Sequence, residues 1–378
     1  MRVLFFNEGN LGTHILGQGQ LEDALHSGLA AAPEVQARFA GLTPMGRGAR
    51  AIATRPLPAL TRAGLDFPTL RWQAVQALRA RSDLRRELRA WPAEVVHVHS
   101  HSVALAMAAT MRSTPIALSL DVTVRDWAQM PAWYPSDRHP ALAMAPSCAL
   151  ERRALQHAAL VLAWTAWAQK AVERSAPDAR VIEHHPGIDL SRYRPAPRRE
   201  RARPRVLFVG GRFVEKGGED LLQALGESLG HEVDLDLVTP AEVPARAGVT
   251  VHRLKPSDPR LLDLQQQADL FCLPTYGDAA PWAVLEAMAC GTPVLSTRIG
   301  GIPDMLAHGS AGALIPHGDR GALREALSAL LTDPARLASL GTSGRARCEE
   351  HYDAKRQFLH LVDHFRQARE AVGPRAKG

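Results

Sequence analysis

The sequence predicts an α/β protein made of two doubly wound domains, each with a parallel sheet between layers of helices. Short aliphatic runs alternate along the chain with longer amphipathic segments, which is typical of βα units. A basic, proline-rich stretch interrupts this alternation near the middle of the chain, and a second strand–helix series starts directly after it. The length of 378 residues suits two domains of ordinary size.

The predicted strands form one series before the interruption and one after it. The first series covers 2–6, 94–100, 115–120, 160–165 and 179–185. The second covers 205–211, 234–239, 249–254, 269–275 and 292–297. Helical periodicity is clearest in six segments, at 69–91, 146–159, 218–229, 283–290, 319–332 and 354–371.

The interrupting stretch "SRYRPAPRRERARPR" has three prolines and seven arginines over 191–205, which is a linker composition. The predicted organisation is therefore an N-terminal domain, a linker, a C-terminal domain and a final helix, at 1–190, 191–204, 205–353 and 354–378. Ligands of doubly wound sheets bind beyond the carboxyl ends of the strands. We therefore expect the site in a cleft between the two domains.

The overall composition excludes several classes of protein. Hydrophobic residues make up 46% and charged residues 22%, which is globular and not disordered. No apolar stretch approaches the length of a membrane-spanning helix, and the N-terminus has no cleavage-site pattern of a signal peptide. The four cysteines have no paired spacing, so neither a zinc site nor a disulfide framework is expected. A cytoplasmic location follows as the expectation.

The first candidate ligand-binding segment follows the strand "RVLFVGG". Arg212 and Lys216 lie on the loop between this strand and the next helix, beside glycines that let a ligand approach the backbone. Two cations near a helix N-terminus would neutralise a diphosphate and stabilise it as a leaving group. The alternative is a solvated turn with surface charges. The segment is not a Walker loop, because no Gly-Lys-Ser or Gly-Lys-Thr occurs.

The second candidate segment is "PTYGDAAPWAVLEAMACGTPVLST", residues 274–297. Asp278 lies in the predicted loop, and Glu286 interrupts an apolar helix face. A carboxylate in such a place needs hydroxyls or cations to offset its desolvation, and sugar or ribose hydroxyls would serve. The alternative is an exposed helical glutamate and a turn aspartate.

Taken together, these segments resemble a known family. "GGRFVEKGGEDLL", "DLFCLPTYGDAAPWAVLEAMACGTPVLSTRIGGIPDML" and "GALIPHGD" are similar to the C-terminal half of family 4 retaining glycosyltransferases, also called glycosyl transferases group 1. In the N-terminal half, "EVVHVHSH" and "VIEHHPGIDLSRYRP" occur in the expected order. The resemblance implies the GT-B fold, in which two Rossmann-like domains face each other across a cleft. The final helix would then cross back to the first domain.

The resemblance also implies a function. The second domain would bind a nucleoside diphosphate sugar, with UDP or GDP as the expected nucleotide, and the first domain would bind a hydroxyl-bearing acceptor. Transfer in the family retains the anomeric configuration and needs no bound metal or other cofactor. The favoured mechanism is front-face attack assisted by the departing diphosphate.

The resemblance also assigns roles to the residues of this sequence that stand at the family's site positions. Arg212 and Lys216 would hold the diphosphate, Glu286 the ribose hydroxyls and Asp278 a hydroxyl of the donor sugar. Further donor contacts are implied at the glycine-rich loop of the first domain and around the second-domain loops, at Gly9, Gly12, Gly211, Trp282, Ala283 and Val284.

Three departures from the family pattern stand out. Asp278 replaces the usual glutamate, and Ala279 to Trp282 replace glycines whose amides would contact the sugar. Lys216 lies one residue before the usual lysine position, which is Gly217 here. After the third main N-terminal strand, Asp121 stands where a donor-facing histidine is usual, so Asp121 is a candidate catalytic or sugar-binding residue. His99 and His101 are alternatives, although a histidine in a core strand is more often structural.

Partners other than the donor and acceptor have little support. The basic segment 69–91 forms an amphipathic helix. Related enzymes that act on lipids use such a helix for peripheral contact with anionic lipids at the inner face of the cytoplasmic membrane. An ordinary surface helix is the favoured alternative. The apolar face offered for this helix comprises Trp72, Val75, Leu78, Leu84 and Leu88. Nucleic-acid binding is not expected, because no binding motif occurs.

Two further functions compete with a retaining glycosyltransferase. The same fold would survive in a catalytically impaired binding or scaffold subunit, and the three departures support this alternative. A dinucleotide-dependent oxidoreductase is disfavoured, since neither glycine-rich loop has the required spacing.

Overall fold

The computed structural model describes residues 1–8, 16–63, 66–130, 140–255 and 257–372. The chain divides into two compact units. The first unit consists of Met1–His185 and the C-terminal segment that starts at Lys355, and the second unit consists of Pro186–Ala354. The first unit is therefore interrupted in sequence, and the second is continuous.

In the described part of the first unit, six strands form one parallel sheet in the order β2-β1-β3-β4-β5-β6. The strands are β1 (Arg2–Asn7), β2 (Gln36–Gly41), β3 (Val95–His99), β4 (Ile116–Leu120), β5 (Leu160–Ala163) and β6 (Val181–Glu183). The helices between them are α1 (Leu16–Leu29), α2 (Arg47–Thr54), α3 (Pro58–Ala63), α4 (Pro68–Ala90), α5 (His101–Ala104), α6 (Ala108–Met111), α7 (Val124–Ala128), α8 (Pro140–His157) and α9 (Ala166–Ser175).

In the described part of the second unit, another six strands form a parallel sheet in the order β12-β11-β10-β7-β8-β9. The strands are β7 (Arg205–Val209), β8 (Asp234–Val238), β9 (Val249–His252), β10 (Leu270–Leu273), β11 (Val294–Thr297) and β12 (Ala313–Ile315). The helices are α10 (Gly218–Leu225), α11 (Pro259–Gln267), α12 (Trp282–Ala289), α13 (Ile302–Met305), α14 (Arg320–Leu331) and α15 (Pro334–His351). The last helix, α16 (Ala354–Val372), belongs from Lys355 onwards to the first unit. Short 3₁₀ turns occur at Gly226–Ser228 and Ala307–Gly309.

The central strands form because their aliphatic runs are buried on both sides, as parallel sheets require. Val3 to Phe6 of β1 are fully buried, and so are Val206 to Phe208 of β7. The last helix, α16, packs in the first unit, where Phe365 lies with its ring centroid 5.9 Å from that of Phe5. On its exposed side, α16 forms ion pairs with Glu34 and Glu94 of the same unit.

The predicted two-sheet α/β architecture is confirmed, and all ten predicted strands are present. The sequence prediction missed β2 and β12, the last strands at one edge of each sheet. Most of β2 is only half-buried, and β12 has three residues, so neither presents a clear apolar run.

The stretch predicted as a linker lies along the second unit. Gln266 donates a side-chain hydrogen bond to the carbonyl of Arg194 at 2.8 Å, and the backbone N–H of Arg199 donates to Gln267 Oε1 at 3.0 Å. The stretch is thus fastened to α11. Just upstream, Ile188 and Asp353 form an isolated parallel β-bridge, so the points at which the chain enters and leaves the second unit lie side by side.

The apolar face predicted for 69–91 is wrong in part. Leu78 is 61% exposed, and the buried stripe of α4 consists of Gln73, Gln76, Ala77, Ala80, Asp83 and Leu84. The polar members are hydrogen-bonded within the first unit: Ser147 Oγ donates to Gln73 Oε1 at 2.5 Å, and Thr43 N–H donates to Asp83 Oδ2 at 3.0 Å. Membrane contact through this helix stays a prediction. In the part of the chain that the structure describes, none of the helices has the length and apolarity to cross a membrane.

Candidate active site

The order of the second sheet defines where a ligand binds. From β7 the chain proceeds through β8 and β9 to one edge, and from β10 through β11 and β12 to the other. The strands β7 and β10 therefore flank the point at which the strand order reverses, and doubly wound sheets bind ligands beyond the carboxyl ends of such strands. The two candidate segments predicted from the sequence are the loops that follow β7 and β10.

The loop after β7 carries the predicted cations. The Arg212 side chain is 32% exposed, and its Nε lies 3.1 Å from Glu215 Oε1. Lys216 Nζ forms an ion pair with Asp278 Oδ2 on the neighbouring loop, and each side chain is 14% exposed. Gly211, at the start of the loop, is exposed. Two residues predicted to bind different parts of one ligand are thus in direct contact.

Gly217 explains why the lysine lies at position 216. The backbone of Gly217 has φ +78°, and a Cβ at this position would lie 2.1 Å from the carbonyl oxygen of Pro274 at the end of β10. Any side chain would therefore meet both backbone strain and a direct clash. Position 217 cannot hold the lysine, and the residue before it is the nearest one that can.

The loop after β10 is fixed by backbone contacts from a third loop. Gly300 follows β11 with φ +55°, and a Cβ there would lie 2.0 Å from the carbonyl oxygen of Asp278. The backbone N–H of Gly301 donates to the carbonyl of Ala279 at 2.7 Å. The Tyr276 N–H donates to the carbonyl of Glu215 at 3.0 Å, which joins this loop to the loop after β7. The loops after β7 and β11 therefore fix the backbone of the loop that carries Asp278.

Glu286 lies in α12 and is 2% exposed, so the alternative of an exposed helical glutamate is wrong. Its Oε1 accepts a hydrogen bond from Tyr193 Oη at 3.2 Å, and its Oε2 accepts one from Gln265 Nε2 at 2.7 Å. Burial and the neighbouring carboxylate raise the pKa of Tyr193, so its hydroxyl stays a donor. Sequence reasoning missed Tyr193 and Gln265. They lie 93 and 21 residues from Glu286, and nothing in their local pattern marks them.

The first turn of α12 contains the other predicted contacts. Trp282 and Ala283 are half-buried, whereas Val284 is fully buried. The backbone N–H of Val284 donates to the carbonyl of Pro281 at 3.1 Å. Of these three residues, Trp282 and Ala283 retain surface for a ligand.

The sheet of the first unit has its own reversal point, between β1 and β3. Glu8 directly follows β1, and Ser102 Oγ donates to Glu8 Oε2 at 3.4 Å across this point. Burial raises the pKa of the Glu8 carboxyl, while hydrogen bonds from Ser102 and Gln76 lower it by less. Ser100 has φ +89°, an unusual value for a residue with a side chain. Gly9 and Gly12, which the sequence places in this region, lie outside the described residues.

Asp121 follows β4 at the same edge of the first sheet and is half-buried. The backbone N–H of Val124, three residues later, donates to both carboxyl oxygens of Glu151 at 2.9 and 3.1 Å. Burial raises the pKa of Glu151 to about 8. The His99 ring stacks on Trp164 with 4.5 Å between centroids, which agrees with a structural role. The side chain of His101 lies outside the described residues.

The described residues contain no cluster of three or more His, Cys, Asp or Glu side chains arranged to hold a metal ion. The four cysteines are free thiols, and burial raises the pKa of Cys290 to about 12.

Two family models match the chain one after the other. A model described as "Glycosyltransferase Family 4" matches residues 30–192, and one described as "Glycosyl transferases group 1" matches residues 203–333. The chain therefore belongs to the family 4, or group 1, glycosyltransferases, as the sequence motifs predicted.

Curated relatives agree over part of the chain. D-inositol 3-phosphate glycosyltransferase 2 of Catenulispora acidiphila is 33% identical over 196 residues, which is 44% of this chain and 46% of the relative. D-inositol 3-phosphate glycosyltransferase of Thermobispora bispora is 30% identical over 226 residues, which is 52% of this chain and 53% of the relative. The matched part thus spans about half the length of these relatives.

Solved structures agree over nearly the whole chain. Sucrose-phosphate synthase of Thermosynechococcus elongatus matches with a TM-score of 0.72 at 19% identity, covering 97% of this chain and 98% of that one. Anabaena HepE in complex with UDP matches with a TM-score of 0.67 at 14% identity, covering 96% and 99%. These likenesses confirm the predicted GT-B fold class.

Proposed function

We propose that the chain is a retaining glycosyltransferase that moves a sugar from a nucleoside diphosphate sugar to an acceptor hydroxyl. The observation that carries the proposal is the charge arrangement beyond β7 and β10, where Arg212 and Lys216 lie beside the loop of Asp278. Cations at this edge of the sheet suit a diphosphate, and carboxylates suit the hydroxyls of a sugar and a ribose. Membership of family 4 supports the same reaction class.

In the proposed complex, the diphosphate lies against the loop after β7. Lys216 exchanges Asp278 for a phosphate oxygen, and Arg212 turns its guanidinium from Glu215 to the diphosphate. Asp278, released from Lys216, accepts a hydrogen bond from a donor-sugar hydroxyl. Glu286 accepts from the ribose hydroxyls. Uracil and guanine are the first bases to test. The two cations neutralise the diphosphate as a metal ion would otherwise do, so no metal or other cofactor is required.

The chemical step follows from this placement. The bond between the anomeric carbon and the phosphate oxygen breaks, and its electron pair leaves with the diphosphate. The negative charge that develops there is stabilised by Arg212 and Lys216. The acceptor oxygen attacks the same face of the sugar, so the configuration is retained, and its proton passes to an oxygen of the departing phosphate.

The acceptor is assigned to the first unit, beyond β1 and β3. Glu8 and Ser102 offer hydrogen-bonding groups for an acceptor hydroxyl at this reversal point. Asp121 lies at the same edge, after the next strand of the sheet, and is proposed to contact a sugar or acceptor hydroxyl. Glu151 keeps the adjacent turn in place through its bonds to Val124.

A non-catalytic binding or scaffold subunit is the second candidate function. The ion pair between Lys216 and Asp278 favours it, because each group already neutralises the other. Pro281 also provides no N–H donor in the loop where the family pattern has glycines. Donor binding without transfer to any acceptor is the result that this candidate requires.

The first test is ligand binding to the whole chain. UDP, GDP, ADP, TDP and their common sugar conjugates are screened by thermal shift with and without magnesium. A ligand at one hundred times its dissociation constant adds about 2.7 kcal/mol of stability. A selective shift that persists without magnesium supports the donor site and identifies the base, whereas no shift with any of these compounds contradicts it.

The second test is transfer from the sugar conjugate that binds. D-inositol 3-phosphate is the first acceptor to try, because the curated relatives carry that name; unphosphorylated polyols, glycans and lipids follow. NMR of the product gives its anomeric configuration. A product with the donor's configuration supports retention, an inverted product contradicts it, and binding without any product favours the scaffold function.

A further inference from the structure

The Tyr276 side chain belongs to a cluster of three polar groups at the carboxyl edge of the second sheet. Tyr276 lies in the loop after β10, Asp220 stands in the first turn of α10, and Arg320 is the first residue of α14. Tyr276 Oη donates a hydrogen bond to Asp220 Oδ2, and Arg320 Nε donates to Asp220 Oδ1 at 2.6 Å. Each oxygen of this buried carboxylate therefore accepts a hydrogen bond, which offsets the cost of its desolvation.

The Tyr276 phenol is fixed both as a donor and in its position. The hydrogen bond to Asp220, followed by burial, raises the pKa of Tyr276, so the hydroxyl keeps its proton. The loop after β12 passes close to the ring, because a Cβ at Gly318 would lie 3.3 Å from Tyr276 Cε1. The ring thus packs against the loop after β12 while its hydroxyl contacts α10.

Two side-chain contacts therefore join the segment after β7 to the loop after β10. One is the ion pair between Lys216 and Asp278, and the other is the hydrogen bond between Tyr276 and Asp220. Asp220 stands four residues after Lys216, and Tyr276 stands two residues before Asp278. The two contacts thus connect the same pair of segments at neighbouring positions.

The proposed donor affects these two contacts differently. Lys216 and Asp278 are the groups assigned to the diphosphate and to a sugar hydroxyl, so their ion pair has to open when the donor binds. Asp220 and Tyr276 are assigned to no part of the donor, and each is already engaged with the other. The hydrogen bond between them can therefore persist while the ion pair opens.

We infer that Tyr276 and Asp220 are positioning residues that hold the loop of Asp278 in place while the Lys216–Asp278 ion pair opens. The inference rests on the proposed function, because donor binding is the event that opens the ion pair. With the hydrogen bond in place, Asp278 stays where it can meet the sugar. Without it, opening of the ion pair leaves the loop less firmly held, and donor binding has to order the loop again.

Hydrogen exchange of the purified chain, with no nucleotide added, tests the inference directly. Asp278→Asn imitates the open ion pair, and Tyr276→Phe removes only the hydroxyl. Backbone amides of residues 275–280 should exchange at nearly the wild-type rate in each single variant, because the other contact remains. In the combined variant they should exchange about tenfold faster, the change in an opening equilibrium that about 1.4 kcal/mol produces. A combined effect no larger than the product of the two single effects overturns the inference.

Calorimetry then relates the hydrogen bond to donor binding. Dissociation constants of Tyr276→Phe are measured for UDP, GDP, UDP-glucose, GDP-mannose and pyrophosphate. The sugar conjugate that binds the wild-type chain should bind the variant about tenfold more weakly, the lower end of the range for a hydrogen bond to a charged group. The matching nucleoside diphosphate should lose less affinity, since only the conjugate needs Asp278, and pyrophosphate affinity should not change. An unchanged ratio of conjugate to diphosphate affinity overturns the inference.

Two further variants make this result specific. Asp220→Asn weakens the same hydrogen bond from its other side and should lower the ratio of conjugate to diphosphate affinity in the same direction. Tyr352→Phe is the matched control, because it removes a phenol hydroxyl from another tyrosine of the second unit, directly after α15. It should leave both the ratio and the exchange of residues 275–280 unchanged. A Tyr352→Phe effect equal to that of Tyr276→Phe overturns the inference.

Failure of the inference and failure of the proposed function give different results. If a sugar conjugate binds the wild-type chain and Tyr276→Phe keeps the wild-type ratio, the inference fails and the donor site stands. If neither nucleoside diphosphate nor either conjugate binds the wild-type chain, the proposed donor site fails, and the positioning role of Tyr276 in donor binding fails with it.

Discussion

Lys216 and Asp278 form an ion pair that joins the loop after β7 to the loop after β10. Resemblance to the family assigns the lysine to a diphosphate and the aspartate to a sugar hydroxyl, and in the structure these two groups neutralise each other. Because each side chain is 14% exposed, the pair is only partly screened by water. The proposed nucleotide sugar would therefore compete with a contact inside the protein, which the first prediction tests.

Asp278→Asn should strengthen the binding of pyrophosphate and weaken the preference for a nucleotide sugar over the nucleoside diphosphate. The substitution releases the charge of Lys216, and a partly exposed ion pair is worth up to about 1 kcal/mol, or about fivefold in affinity. Calorimetry with pyrophosphate gives the first quantity. Asp234→Asn, at the amino end of β8, is the control. Weaker pyrophosphate binding by Asp278→Asn would contradict the proposed exchange.

Arg212→Ala should weaken nucleoside diphosphate binding by about 1.5–3 kcal/mol, the usual range for a hydrogen bond to a charged group. The measurement is the dissociation constant of the diphosphate selected in the ligand screen. Arg203→Ala is the matched control: it removes the same charge just before β7, where Arg203 Nε contacts Asp234 Oδ1 at 3.2 Å. Equal affinities for the two variants would remove Arg212 from the site.

Gly217→Ala should destabilise the second unit by more than about 3 kcal/mol, because the strain of a positive φ adds to a clash with the Pro274 carbonyl. Gly226→Ala is the control for strain alone, since Gly226 has φ +47° and a Cβ there meets nothing within 4 Å. Its expected cost is about 1–3 kcal/mol. Urea unfolding measures both, and similar losses would show that the close approach to β10 is relieved by movement of the loop.

His97 should make the first unit less stable in acid. Burial lowers the pKa of His97 to about 3, whereas the unfolded chain takes up this proton near pH 6.5. Between these values the unfolded state binds more protons at His97, so the contribution of His97 to stability falls by about 1.4 kcal/mol for each unit that the pH decreases. Chemical denaturation at pH 7, 6 and 5 should therefore give a smaller loss for His97→Leu than for the wild-type chain. His231→Leu, which removes an imidazole at an exposed position, is the control.

Glu151 should make the first unit less stable as the pH rises. Burial raises its pKa to about 8 from an ordinary value of 4.5, so between these values the folded chain keeps a proton that the unfolded chain has lost. The stabilising contribution of the protonated carboxyl is complete below about pH 4.5 and is lost as the pH rises towards 8. Glu151→Gln keeps an acceptor for the Val124 N–H and should gain stability over the wild-type chain as the pH rises from 6 to 8. An unchanged difference across this range would contradict the assignment.

The sequence predicted the fold well because burial in a parallel sheet leaves a strong local pattern. The run "RVLFF" is buried from Val3 to Phe6, and "RVLFV" from Val206 to Phe208, so both were found from composition alone. The short edge strand β12 and the half-buried β2 have no such pattern. The buried face of α4 was misassigned for a related reason, since Gln73 and Asp83 are buried only because Ser147 and Thr43 supply partners from elsewhere in the first unit.

Local motifs identified the segments that the structure places after β7 and β10, whereas contacts between distant residues left no signal in the sequence. Arg212, Lys216, Asp278 and Glu286 stand in recognisable segments, and the structure places the segments on neighbouring strands. The contacts of Glu286 with Tyr193 and Gln265 depend on how α11 and the stretch before β7 pack, which spacing in the sequence does not encode. The reason for glycine at 217 likewise depends on the position of Pro274.

The bridge between Ile188 and Asp353 has a consequence for modularity. It brings together the two points at which the chain enters and leaves the second unit, so that unit is one unbroken polypeptide with neighbouring ends. A segment with neighbouring ends can be inserted into a host, exchanged for a homologue or joined into a ring without stretching either terminus. Recombination can therefore replace the second unit, which is proposed to bind the nucleotide, as one continuous segment, while the first unit keeps its own sheet and helix α16.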